Sequence, residues 1–356
     1  GQVAKLVRFR VYYSDMNMKS VLFGAVLFGS AAVFASEPWE DPSVNAINRL
    51  PARAISIPCE SEEMAFDILQ MKRPKGDSRW ILPLGGEWDF MACDQPYFGG
   101  SPFRKPHDWH MGDYKNWEWR AKQNNRITVK PRKINVPGTW EAQGIGSPAD
   151  SRTWVCKWDA NPQPLRYAFW GEGWYAKSVR LPSAWNGRRI WLKTGLIGTT
   201  GYLWVNAHPV ACVTLYCGTV KYDITEFVKQ GEDNMVVVQA LNTGAPCRMG
   251  GLTACNSWGG ILRDIELEAT PQVFIDDAWV RGNFDRQEAE VHVEVCLGGV
   301  ERLESTKVRV TVGNEVAERP LTSQTCQTSQ TFQTCLKVPL RNFKAWSPEH
   351  PNLYWA

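Results

Sequence analysis

The sequence predicts an all-β chain: a jelly-roll β-sandwich over residues 80–271 followed by an immunoglobulin-like β-sandwich over residues 272–356. Three observations lead there. Short runs rich in β-branched and aromatic residues recur from Trp80 onward, separated by Gly, Asn and Pro turn signals. Only residues 60–70 have helical character. The chain of 356 residues holds 18 Trp, a side chain that suits packing between sheets and also the flat faces of ligand rings. Most of these indoles are expected in the core and a minority at a ligand.

The amino end reads as targeting sequence. Met16 and Met18 are possible starts, Lys19 gives a positive flank, and residues 21–34 form an apolar run ending in Val33-Phe34-Ala35. That is a signal-peptide pattern over residues 16–35, cleaved after Ala35, and the run is shorter than the roughly 20 residues a membrane span needs. Residues 1–15 precede a complete export signal and read as a non-native upstream segment. The mature chain is expected to be exported, periplasmic or secreted, with no stable membrane insertion. All ten Cys follow Ala35. Cys212/Cys217, Cys247/Cys255 and Cys326/Cys335 are close enough in sequence to bridge, and buried free thiols are the other reading.

Residues 36–79 form a Pro-punctuated arm that contains the short helix, with Met64, Ile68 and Leu69 on one side. The clearest strands are 189–194, 201–206, 235–241 and 265–269. In the last of these, Ile265, Leu267 and Ala269 alternate with Glu266 and Glu268, predicting one buried and one wet face. Asn186-Gly187, Gly198-Thr199, 229–231 and 242–244 mark turns. Beyond a boundary near Thr270-Pro271 the alternation sharpens. Val291, Val293 and Val295 make one strand face, Val308, Val310 and Val312 another, and Leu336, Val338 and Leu340 a third. About seven such strands are expected. Residues 321–334 read as a polar loop or exposed edge strand, and the segment up to Ala356 as part of a further strand.

Net charge is +3 with signs intermixed and no Lys/Arg cluster, so no nucleic-acid surface is expected. No CxxC, phosphate loop, nucleophile elbow or zinc helix occurs, and His107/His110 is a lone pair. No metal site and no cofactor are expected, and the sequence specifies no oligomeric state.

Several strings, in one order, resemble family 2 glycoside hydrolases of β-galactosidase type. They are Gly85-Gly86-Glu87-Trp88-Asp89-Phe90, Val136-Pro137-Gly138-Thr139-Trp140-Glu141, Trp174-Tyr175, Trp204-Val205-Asn206, Tyr222-Asp223-Ile224-Thr225, Gly259-Gly260-Ile261-Leu262-Arg263-Asp264 and residues 346–354. The arm from Trp39 to Ala54 also resembles that of bacterial β-galactosidases. The same strings have structural readings: Asn206 and Asp223 as turn formers, and Arg263-Asp264 as a fixed charge pair under a loop.

The resemblance implies a galactose-binding-like jelly roll and an immunoglobulin-like domain, truncated before a (β/α)8 barrel that carries two glutamates. A retaining hydrolase needs two carboxylates about 5–5.5 Å apart. No Asp or Glu here matches a catalytic motif, so no catalytic residue is assigned. The resemblance also implies that two loops of the jelly roll reach the sugar. The candidates are Asp150, Arg152 and Trp154 in residues 144–158, and Asn242, Arg248, Asn256 and Trp258 in residues 242–258. An oligosaccharide or glycoside is the expected partner. β-Glucuronidase or β-mannosidase specificity, a stand-alone lectin-like protein and a purely structural sandwich pair are the alternatives.

Overall fold

The computed structural model describes residues 46–47, 56–94, 127–148, 167–169, 171–198, 200–213, 218–242, 258–298, 306–321, 331–341, 343–354 and 356. The chain separates into two units, Gly1–Ala35 and Ser36–Ala356, and everything described belongs to the second. The proposed upstream segment, the signal peptide and His107/His110 lie outside the described residues.

The first sandwich has two sheets. The larger runs in the order β1 (Ala46–Ile47), β11 (His208–Val213), β10 (Thr200–Val205), β13 (Asp233–Leu241), β8 (Gly171–Arg180), β3 (Gly86–Asp94) and β4 (Ile127–Val136). The smaller runs β12 (Val220–Asp223), β9 (Arg189–Thr194), β15 (Ile265–Thr270) and β2 (Ile81–Pro83). Two short ribbons close one end: β14 (Gly260–Ile261) with β5 (Gly138–Thr139), and β6 (Ser147–Pro148) with β7 (Tyr167–Ala168). The non-sequential order is what folds the chain into two layers rather than a meander.

The inner faces meet in one apolar cluster that includes Trp88, Phe90, Trp140, Tyr175, Trp185, Leu192, Leu203 and Leu267. Among the described residues seven indoles are buried and three, Trp258, Trp279 and Trp346, are exposed. A buried indole brings one donor that must be satisfied. Trp88 donates to the Leu84 carbonyl at 2.7 Å, Trp185 to the Arg79 carbonyl at 2.8 Å and Trp191 to the Thr270 hydroxyl at 2.9 Å.

The expected wet face of β15 is not wet. Glu266 and Glu268 are 2% and 0% exposed. Lys193, their neighbour on β9, lies 3.5 Å from Glu266 and 3.1 Å from Glu268. Lys75 reaches Glu266 at 2.7 Å and Lys221 reaches Glu268 at 3.1 Å. The arm covers this face, and Lys193 also donates to the Ser56 carbonyl at 3.5 Å. Period-two alternation distinguishes two faces without saying that either meets water. Burial works against the Lys75 charge, but its bond to Glu266 and the charges of Glu266 and Asp264 outweigh it and raise its pKa. Asp264 thus pairs with Lys75, at 3.3 Å, and not with its exposed neighbour Arg263.

The turn readings hold. Asn206, at φ 49°, donates to the Phe227 carbonyl and accepts from the Met235 N–H. Asp223 accepts from the Thr225 N–H and pairs with Arg189 at 2.7 Å. Helix α1 (Glu62–Leu69) begins where Ser61 caps the Met64 N–H, and Glu62 and Glu63 fill its first turn.

The second sandwich pairs β16 (Phe274–Asn283), β17 (Glu288–Cys296) and β20 (Thr331–Pro339) in one sheet and β18 (Lys307–Val312) with β19 (Glu315–Pro320) in another. The three predicted apolar faces are all buried in one cluster. Five strands lie among its described residues. The expected further strand near Ala356 is not formed among the described residues 343–354, where Ser347 and His350 close a turn on each other. Pro348 and Pro351 have no N–H to give a ladder. Cys335 is a free thiol, so the Cys326/Cys335 bridge is not formed. No helix of the described residues is long and apolar enough to cross a membrane.

The buried charge lattice makes a measurable claim. Lys193→Ala leaves two buried carboxylates short of a cation and is expected to cost about 3 kcal/mol of unfolding free energy. Lys193→Met with Glu268→Leu is expected to recover most of that loss, because a buried pair exchanged for apolar groups is near neutral. Urea unfolding compares the proteins. A single-variant loss under about 1 kcal/mol would mean that solvent already screens the lattice.

Candidate functional site

Both predicted ligand segments leave the first sandwich at the same end. Ser147 pairs with Ala168 and Pro148 with Tyr167, which brings together the chain on either side of residues 149–166. Asn242 follows β13 and begins the other segment. Its Nδ2 donates to the Phe169 carbonyl at 2.7 Å, and its Oδ1 accepts from the Gly171 N–H at 2.9 Å. At 1% exposure this amide is committed to joining the two stems from inside the protein.

The return stem, 258–261, is seated on Trp140. A Cβ on Gly259 would fall 1.8 Å from the Trp140 ring, and one on Gly260 would fall 2.5 Å from the Gly138 carbonyl. Gly260 also has φ +123°, a left-handed backbone that favours glycine. The Trp140 N–H donates to the Gly259 carbonyl at 2.9 Å, and the Gly198 N–H to the Gly260 carbonyl at 2.7 Å. Trp140 is itself immobilised. Its indole Nε1 donates to the Tyr175 hydroxyl at 2.6 Å, and its ring meets Phe169 edge-on at 5.4 Å. Burial raises the Tyr175 pKa, keeping the hydroxyl neutral.

Glu141 lies beside this seat, 5% exposed. Its Oε1 accepts from the Gly259 N–H at 3.3 Å, while its buried Oε2 has no partner among the described residues. Burial pushes the carboxyl up to about 7, against the lowering effect of two backbone N–H groups. A protonated Glu141 has a donor and less to lose from leaving water. Next to Gly259, Trp258 is 52% exposed. The arrangement therefore holds one indole in solvent at the mouth of a rigid seat.

Of the seven predicted ligand residues, the structure places Asn242 and Trp258 at this end, and Asn242 turns inward. Asp150, Arg152, Trp154, Arg248 and Asn256 lie outside the described residues. Glu141 was not singled out in the sequence. The signal was an acid directly after the Trp of a tight turn, a position that follows an indole into the core. Among the described residues no three His, Cys, Asp or Glu side chains gather as a metal site.

Residues 83–271 match the family model of the glycosyl hydrolases family 2 sugar binding domain, and residues 273–356 match that of glycosyl hydrolases family 2. A beta-galactosidase of Priestia megaterium is 24% identical over 332 residues, which are 88% of this chain and 29% of that protein. A beta-glucuronidase of Bacteroides fragilis is 26% identical over 160 residues, 45% of this chain and 21% of that protein. A crystal structure of a family 2 member from Bacteroides cellulosilyticus shares the fold with TM-score 0.52 at 21% identity, over 77% of this chain and 32% of that one. The chain thus spans less than a third of the length of these relatives.

Glu141 predicts a pH dependence. Its folded pKa of about 7 exceeds the unfolded value of 4.5. Between those values the folded chain holds a proton that the unfolded chain releases, so stability falls as pH rises toward 7 and then levels off. Glu141→Gln cannot ionise and is expected to be more stable than the parent above pH 7, by roughly 1–3 kcal/mol, with no gain at pH 4. Melting curves across pH test this. Parallel curves for the two proteins would place the Glu141 carboxylate in contact with water.

Proposed function

The chain belongs to glycosyl hydrolase family 2, and from that premise we propose that it is the non-catalytic amino-terminal portion of an exported hydrolase of β-linked glycosides, of β-galactosidase type. Its part is to scaffold the enzyme and to supply one wall of a sugar site at the Trp258 end of the first sandwich. The observation that carries this is the exposed Trp258 fixed beside the seat on Trp140, where both predicted ligand segments leave the fold. An indole face stacks on sugar C–H groups, and neighbouring polar side chains bond hydroxyls.

Three further points support the reading. Matches to the two family models follow one another along the chain. Relatives named beta-galactosidase align over as much as 90% of it. The innermost carboxylates of the first sandwich, Glu266 and Glu268, are occupied by lysines and Glu141 lies under backbone, whereas glycoside hydrolysis needs two carboxyl groups facing one bond. The export reading rests on the apolar run at 21–34. β-Glucuronidase-type specificity is the second reading, favoured by the relative of that name.

The purified chain is expected to bind a galactoside, glucuronide or mannoside weakly and to hydrolyse none of their nitrophenyl derivatives. Trp258→Ala is expected to weaken binding about tenfold, the worth of one stacking contact. Titration calorimetry with the three sugars ranks the specificities. Turnover by this chain alone would overturn the non-catalytic assignment, and an affinity unchanged in Trp258→Ala would remove that residue from the site.

A further inference from the structure

The second sandwich carries a cleft on the face turned away from its core. The outward residues stand in cross-strand rows. Trp279, His292 and Cys335 share one row across β16, β17 and β20, and Asp277, Glu294 and Gln333 share the next. A cavity of about 320 Å³ opens over both rows. That volume lies at the lower end of small-ligand sites, about 300–1,000 Å³.

Trp279 is the residue that needs a reason. The valines of this sheet point the other way, into the buried cluster, so the indole adds nothing to the core. Its ring lies flat against His292, with centroids 3.7 Å apart and planes 4° from parallel. His292 Nε2 in turn lies 3.7 Å from the Cys335 sulfur. The indole is thus held in place on one side while half of its surface, 50%, remains in water. A large apolar plate that is already immobilised loses little entropy when a ligand covers it.

The neighbouring row supplies polar groups. Strands advance about 3.3 Å per residue, so Asp277 and Glu294 lie roughly 7 Å along the sheet from the indole. Gln333 donates to Glu294 at 2.9 Å. Beyond the indole on the other side, Lys337 lies 3.6 Å from Glu290 and 3.6 Å from Glu288. The cleft itself thus offers the carboxylate oxygens of Asp277 and Glu294 as hydrogen-bond acceptors beside the Gln333 amide. Asp277 and Glu294 repel an anionic ligand, and their oxygens can accept from hydroxyl groups. The cleft fits a ring with an apolar face and a girdle of hydroxyls.

We propose that this cleft is a second carbohydrate site, which takes a neutral pyranose on the Trp279 indole, separate from the Trp258 end of the first sandwich. The test uses the whole chain, with its indole N–H signals assigned by NMR. Galactose, glucose and their β-linked disaccharides are titrated, with glucuronate and choline as charged probes. The neutral sugars are expected to shift the Trp279 N–H, and the charged probes to leave it in place. Trp279→Ala is expected to weaken this binding at least about tenfold, and Trp279→Phe to retain part of it. Trp258→Ala is expected to leave the Trp279 response unchanged, so failure at the first sandwich is read separately. A Trp279 N–H unmoved by every neutral sugar overturns the proposal in the parent protein, without reliance on any variant. An equal response to choline or glucuronate overturns the assignment to a neutral ring.

Discussion

Trp140 must keep its ring out of water and still place its N–H on an acceptor, and one end of the first sandwich is shaped around that need. The Tyr175 hydroxyl meets the N–H at 2.6 Å. Phe169 closes one edge of the ring. Gly173 and Gly259 press against it where a Cβ would fall 2.3 and 1.8 Å away. One side chain thereby ties β8, the stem of β14 and the turn after β5 into a single body. Asn242 completes the arrangement by binding the start of one segment to the end of the other. The exposed position of Trp258 follows from these constraints, because its neighbour Gly259 has no freedom to move.

Much of this was legible in the sequence, for reasons that can be given residue by residue. Residues 189–194 were read as a strand because β-branched and aromatic residues fill them, and the structure has β9 over the same span. Val291, Val293 and Val295 alternate with charged or polar residues, and here the alternation does separate core from outer face. Glu266 and Glu268 follow the same rule on paper and break it in space. What covers them comes from Ser56, Lys75 and Lys221, none of them near in sequence. Local periodicity carries no information about such partners. Asn242 reads as a ligand candidate from its place in a loop, and the structure shows its amide bonded to the Phe169 carbonyl and the Gly171 N–H. Glu141 stands out only in space, because its burial depends on the Gly259 segment, which is distant in sequence. The closing segment, expected to lie in a further strand, contains Pro348 and Pro351, which lack the N–H donors a ladder needs.

The two sandwiches treat tryptophan in opposite ways. The first buries it: Trp80, Trp88, Trp140, Trp174, Trp185, Trp191 and Trp204 are all within the fold. The second sandwich has a core of valine and leucine, and its described indoles, Trp279 and Trp346, are both on the surface. An indole that is not needed for the core is left available at the surface. The arm adds a further level of organisation. Glu62 of α1 accepts from the Thr311 hydroxyl at 2.8 Å and lies 3.5 Å from Arg309, so the helix bears on the second sandwich. Lys75, a few residues on, belongs to the charge lattice of the first. The segment that holds α1 and Lys75 therefore touches both sandwiches.

The anchoring of residues 242 and 258–260 has a consequence for how such a protein can diversify. The two stems form a socket whose geometry is set by Asn242, Trp140 and two glycines, all outside the stretch they bracket. Asn242 is bound to Phe169 and Gly171, and Gly259 and Gly260 to Trp140, Gly138 and Gly198, all of them outside residues 243–257. The socket is thus a fixed boundary: the glycines and the indole beneath them are the positions where drift is not tolerated.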